Sequence, residues 1–128
     1  MTHRSWTTGA ILMLATATMA GELESRNGLF RVAYESRLDP IAINRIHSWV
    51  VHVETPEGEP VENADLRVEG GMPAHDHGLP TRPQVTRNLG SGNYLIEGMR
   101  FHMNGSWQVE ITISVDGDSD VVFVELEL

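Results

Sequence analysis

After Gly28 the chain is written almost entirely in short alternating stretches broken by tight-turn signals, and no window there sustains a 3.6-residue period. "LFRVAYES" (29–36), "IHSWVVHVET" (46–55), "ADLRVEG" (64–70), "QVTRNL" (84–89), "NYLIEGMRF" (93–101), "WQVEITISV" (107–115) and "DVVFVELEL" (120–128) each read as a strand. Between them lie "PEGEP" at 56–60, "GSG" at 90–92 and the Asp116-Gly117 pair, sequences that reverse a chain within a few residues. Seven short strands with regular turns predict an all-β chain, an immunoglobulin-like β-sandwich of about seven antiparallel strands. Alternation puts Trp49, Val51 and Val53 on the core side and Val50 and His52 on the other. Val109, Ile111 and Ile113 point inward by the same rule. The Asp and Glu residues towards the C-terminus read as a solvated strand face.

A length of 128 residues suits one domain. No cysteine is present, which excludes disulfides, thiolate metal sites and a lipoprotein anchor. Nine basic residues, none of them lysine, stand against eighteen acidic ones, and the net charge of −9 opposes binding to nucleic acid or an anionic membrane. His3 and Arg4 followed by the apolar "GAILMLATATMA" (9–20) read as a secretory leader. The organisation expected is therefore a cleavable signal peptide over 1–20 and a β-sandwich domain over 21–128. Cleavage after Ala20 or after Ala17 satisfies the small-residue rule. The apolar run is too short and too rich in threonine for a good membrane span, so no lasting membrane anchor is expected. The predicted location is periplasmic or secreted.

One stretch departs from the strand pattern. "GGMPAHDHGLPTRPQV" (70–85) carries two histidines one residue apart, just after a methionine, among three prolines and three glycines. Proline fixes φ and glycine permits sharp reversals, so this loop is shaped by its own sequence. In extended backbone, His75 and His77 point the same way. A second cluster, "GMRFHMNGSW" (98–107), holds Met99, His102 and Met103 at another strand end. Met72, His75, His77 and Met103 form a candidate set of two imidazoles and two thioethers. Thioethers are soft, uncharged ligands that favour Cu(I), and imidazole accepts both copper states. Zinc typically recruits cysteine or a further histidine or carboxylate. The order of preference is Cu(I), then Cu(II), then zinc.

Each residue has a plainer reading too. Met72 or Met103 taken singly reads as a core gap-filler. Met99 shares a strand face with Phe101 and reads as core. His102 points opposite to Met103 and reads as a surface histidine, as does His52. His47, beside Trp49, reads as a hydrogen-bonded rim histidine or a group that supports a ligand.

These elements resemble the YtkA-like family, which is related to the FixH-like proteins. The similarity is carried by His47-Ser48-Trp49, Gly58 through Pro60-Val61, Met72-Pro73-x-His75-x-His77-Gly78, Gly92-x-Tyr94 and Phe101-x-Met103-x-Gly105-x-Trp107. It spans about residues 45–113. The resemblance implies a small exported immunoglobulin-like sandwich with a part in copper handling or in assembly of copper-containing respiratory enzymes. By position, Met72, His75, His77 and Met103 fall on the family's Met/His motif. FixH-like proteins are membrane-anchored, whereas this chain has a cleavable-looking leader.

The leading expectation is a copper-binding protein that passes its metal ion to a periplasmic or membrane protein. The alternative is a metal-free interaction module that docks through the histidine loop. An enzyme is not expected: no Ser/His/Asp pattern, phosphate-cradling loop or carboxylate pair stands out.

Overall fold

The computed structural model describes residues 22–128, and the leader expected over 1–20 lies outside the described residues. Nine strands form among the described residues: β1 (Leu23–Glu24), β2 (Arg31–Ser36), β3 (His47–Glu54), β4 (Asp65–Met72), β5 (His77–Gly78), β6 (Gln84–Gly90), β7 (Asn93–Met99), β8 (Ser106–Val115) and β9 (Asp118–Glu127). They make two antiparallel sheets, ordered β1-β2-β3-β7-β6 and β5-β4-β8-β9. Without the two-residue β1 and β5, this is the four-plus-three strand order of an immunoglobulin-type sandwich. The seven expected strands are all present. The two additional ones are too short for an alternating pattern to register.

The core follows the alternation. Trp49, Val51 and Val53 on β3, and Val109, Ile111 and Ile113 on β8, are buried between the sheets. Met99 and Phe101 are fully enclosed, as the core reading of that stretch requires. Val50 is also buried although it faces outward, flanked in the ladder by Glu35 and Leu95. Two reversals use consecutive left-handed residues, Ser91-Gly92 and Asp116-Gly117. That geometry matches the twist of the strands it joins.

Two polar anchors tie connections to this core. The buried Tyr94 hydroxyl donates to the Val61 carbonyl at 2.7 Å and accepts from the Ala64 amide at 2.9 Å, pinning the β3–β4 connection. Asp120, expected on a solvated face, is instead buried at the start of β9. Its carboxylate accepts from the Ser25 hydroxyl at 2.6 Å and from the backbone amides of Asn27, Leu29 and Val121. The reason lies beyond strand periodicity: the β1–β2 turn has orphan amides, and an acid across the sandwich satisfies them. Burial pushes the Asp120 carboxyl up, but the Ser25 hydroxyl and the backbone donors outweigh it and hold it below its ordinary value.

Tyr94→Phe leaves a buried carbonyl and an amide without partners and is expected to cost about 1–3 kcal/mol in denaturant unfolding. Asp120 with a lowered folded-state pKa stabilises the fold above the ordinary aspartate range, and this contribution is lost as pH falls through the lowered value. Asp120→Asn should cost about 2 kcal/mol at neutral pH. It should also flatten the acid limb of a stability-versus-pH curve measured by thermal unfolding.

Candidate metal centre

The two Met/His clusters meet at one end of the sandwich because the strands bearing them run to the same rim. β4 ends there at Met72, β7 ends there at Met99 and β8 begins there at Ser106. The β4–β8 ladder pairs Gly70 with Val109 and Gly71 with Gln108, which sets Met72 beside the first turn of chain before β8. Met72 is buried. Its methyl lies so close to Gly105 that a Cβ built there would stand 2.6 Å away, and Gly105 has a φ of 137°. Residues with a Cβ rarely adopt that φ, so glycine is favoured there, and the flexible end of Met72 fills the space the missing side chain leaves.

The histidine loop is a hairpin turn, not extended backbone. Met72 pairs with His77 across the β4–β5 ladder, the His75 amide donates to the Met72 carbonyl at 3.0 Å, and Asp76 takes a left-handed φ of 52°. The premise that alternation aligns His75 with His77 therefore fails, since proline and a tolerant Asp close the turn first. The turn nevertheless keeps the two rings together, with centroids 6.4 Å apart. Both histidines are exposed. Gly71 makes room for this turn, because a Cβ there would meet the His77 carbonyl oxygen at 2.8 Å.

From the other cluster, Met103 is 40% exposed, so its thioether is open to solvent rather than filling the core. Its carbonyl accepts from the Trp107 indole N–H at 2.9 Å. Gly105 exchanges two backbone hydrogen bonds with Leu128, at 2.8 and 2.9 Å, which clamp the loop to the end of the chain.

His102 is misplaced by strand alternation. The strand stops at Met99, so His102 lies in the connection, where it is half-buried with its ring 5.5 Å from Trp107 and 6.2 Å from His77. Its Nδ1 is buried without a hydrogen-bond partner among the described residues. The signal available in the sequence was "FHMNGSW" itself: a glycine-containing segment between strands ends alternation.

The remaining histidines are satisfied. The Trp49 indole N–H donates to His47 Nε2 at 3.2 Å, so His47 Nδ1 carries the proton and donates to the Arg45 carbonyl at 2.9 Å. Neither ring nitrogen of His47 is left for a ligand. His52, expected to be exposed, is half-buried between Asn93 Oδ1 and Glu54 Oε1, each at 2.9 Å, away from the rim.

Among the described residues, no three His, Asp or Glu side chains converge tightly enough to hold an ion. The imidazoles come as two neighbouring pairs that share His77, and the buried Met72 is the ladder partner of that histidine. An open groove of about 380 Å³ runs beside the turn and is lined in part by Met72, Asp76, His77 and Glu110. A larger one of about 690 Å³ follows the flank between β4 and β6 and is lined by neither histidine nor methionine.

Comparison with curated proteins and with solved structures finds no match. A family model, described as YtkA-like, matches residues 30–112, from just before β2 into β8. The match takes in the buried Trp49, the Met-Pro-x-His-x-His-Gly turn and the Gly105-x-Trp107 element that closes over Met72. The chain belongs to the YtkA-like family.

Proposed function

We propose that this chain binds copper, Cu(I) in preference to Cu(II) or zinc, through Met72, His75, His77 and Met103. Its role is then to hold copper outside the cytoplasm for a copper-receiving protein. The observation that carries the reading is the Gly105–Met72 approach, which brings one half of the Met/His motif against the other. Two thioethers and two imidazoles are a neutral, soft donor set that needs no deprotonation. In a chain without cysteine, it is the donor set available for Cu(I).

The half-open geometry suits handling rather than permanent storage. His75 and His77 stand on an exposed turn, and exposed side chains change rotamer on the ps–ns scale. They can close on an ion above Met72 and open again to a partner, while the glycine-fitted β4 terminus stays in place. Copper supplies the electrophilic centre when bound; the chain supplies donors, a rigid base and an exposed mouth. An interaction role without metal would use the same exposed turn as a docking surface, and the titration below separates the two.

Competition of the purified protein against a chromogenic Cu(I) chelator should give one-to-one binding. His75→Ala/His77→Ala should weaken it by more than about tenfold, and Met103→Ala should weaken it measurably. Binding that is weak and indifferent to these substitutions overturns the copper reading and turns the search to a protein partner captured in the presence of chelator.

A further inference from the structure

His52 stands on the outer face of its sheet, beside the first residue of β7 and so at the end of the sandwich opposite the histidine turn. Its Nδ1 lies 2.9 Å from Asn93 Oδ1 and its Nε2 lies 2.9 Å from Glu54 Oε1. A carboxylate oxygen can only accept. The Asn93 amide is oriented by its other end, where Nδ2 donates to the carbonyls of Gly90 and Ser91 at 3.1 and 3.4 Å. Reversing that amide would set Oδ1 against two carbonyl oxygens. Both partners of the ring are therefore acceptors. A neutral imidazole has one N–H to give them, and the imidazolium has two.

Asn93 in its turn holds the reversal between β6 and β7. Gly90, Ser91 and Gly92 all take a left-handed φ, of 84°, 54° and 80°, and for Ser91 that is an uncommon conformation. Side chains tie it down: Asn88 Oδ1 accepts from the Gly90 amide at 2.9 Å, Glu62 Oε1 accepts from the Ser91 amide at 3.1 Å, and Asn93 binds both carbonyls. The reversal also supports β3, whose Val53 amide donates to the Gly92 carbonyl at 2.8 Å.

We infer that the His52 imidazolium is a pH-sensitive latch on the β6–β7 reversal. When the ring gives up a proton, the remaining N–H stays with Glu54, because the bond to an ionised acceptor is the stronger of the two. Nδ1 then points a lone pair at Asn93 Oδ1. Asn93 must move away or turn its amide round, and either course gives up its bonds to Gly90 and Ser91. Histidine is the side chain whose charge ordinarily changes between about pH 5 and 8, so the latch is closed on the acid side of that interval and open on the alkaline side. The other charged groups on this face are Arg31 and Glu35 on β2, Arg87 on β6 and Glu97 on β7, with Glu62 against the reversal. Arg31 is the ladder partner of Glu54. The latch is independent of the copper reading, since it uses none of the four proposed ligands.

The test follows the chelator-treated protein by NMR from pH 5 to 8. The long-range imidazole 1H–15N spectrum reads the two His52 nitrogens, and hydrogen exchange, corrected for its intrinsic pH dependence, reads the protection of the Ser91 and Val53 amides. His52 should pass from two protonated nitrogens to one, with the remaining proton on Nε2. Protection of the two amides should fall about fivefold over the same interval, as expected for the loss of a hydrogen bond. In His52→Gln that protection should be low throughout and should no longer change with pH. A wild-type ring that is neutral at both ends of the range overturns the inference. So does a ring that loses its proton while the amides keep their protection, a comparison that needs no variant and stands even if His52→Gln does not fold. Protection that still falls with pH in a folded His52→Gln protein overturns it as well. With no copper present, each of these outcomes leaves the copper reading where the chelator competition puts it.

Discussion

The rim depends on one close approach: the Met72 methyl packed where a side chain on Gly105 would otherwise be. The β4–β8 ladder brings these residues together, and its register leaves no slack, since a one-residue slip would turn Met72 away from the core. Everything else at this end is hung on that contact. The histidine turn starts from Met72, the 100–105 loop passes over it, and the end of the chain clamps the loop at Gly105. A rigid base of this kind explains how an exposed turn keeps its histidines near one another without any enclosing cavity.

Aromatic packing continues that rigidity into the core. Tyr34 stacks on Trp49 at 5.0 Å, Trp49 leans on Phe101 at 6.3 Å, and Phe101 meets Trp107 edge-on at 5.3 Å. The two buried indoles aim their N–H groups at the rim, one to His47 and one to the Met103 carbonyl. Each therefore anchors a connection that carries chemistry-bearing residues. Large rings with a single polar atom do this well, because the ring fills the core while the donor fixes a loop. The same economy recurs at the far end, where Tyr94 and Asp120 pin connections through buried polar atoms.

Most of the fold was legible beforehand because strands announce themselves twice, in alternation and in the turns that bound them. Trp49, Met99 and the β8 valine and isoleucines are buried as alternation requires. The failures share a cause. His102, His52 and Asp120 were all assigned to solvent by strand periodicity, and each has a different environment set by a segment distant in sequence. Asp120 answers amides near Ser25, His52 is held in part by Asn93, and His102 is packed on Trp107 next to His77. The extended reading of the histidine loop failed differently, because turn closure by proline and a left-handed Asp76 competes with alternation over so short a span.

The order of residues alone determined the seven longer strands, the turns, the core faces of β3 and β8, and a supply of methionine and histidine in a chain without cysteine. These are local properties, set by side-chain period and backbone preference within a few positions. Whether residue 72 would meet residue 105, and which histidines would become neighbours, was decided only when two sheets paired and packed. Ladder register and sheet stacking act between segments that local pattern cannot relate. A glycine that reads as a mere turn residue thus becomes the place where the Met72 methyl packs.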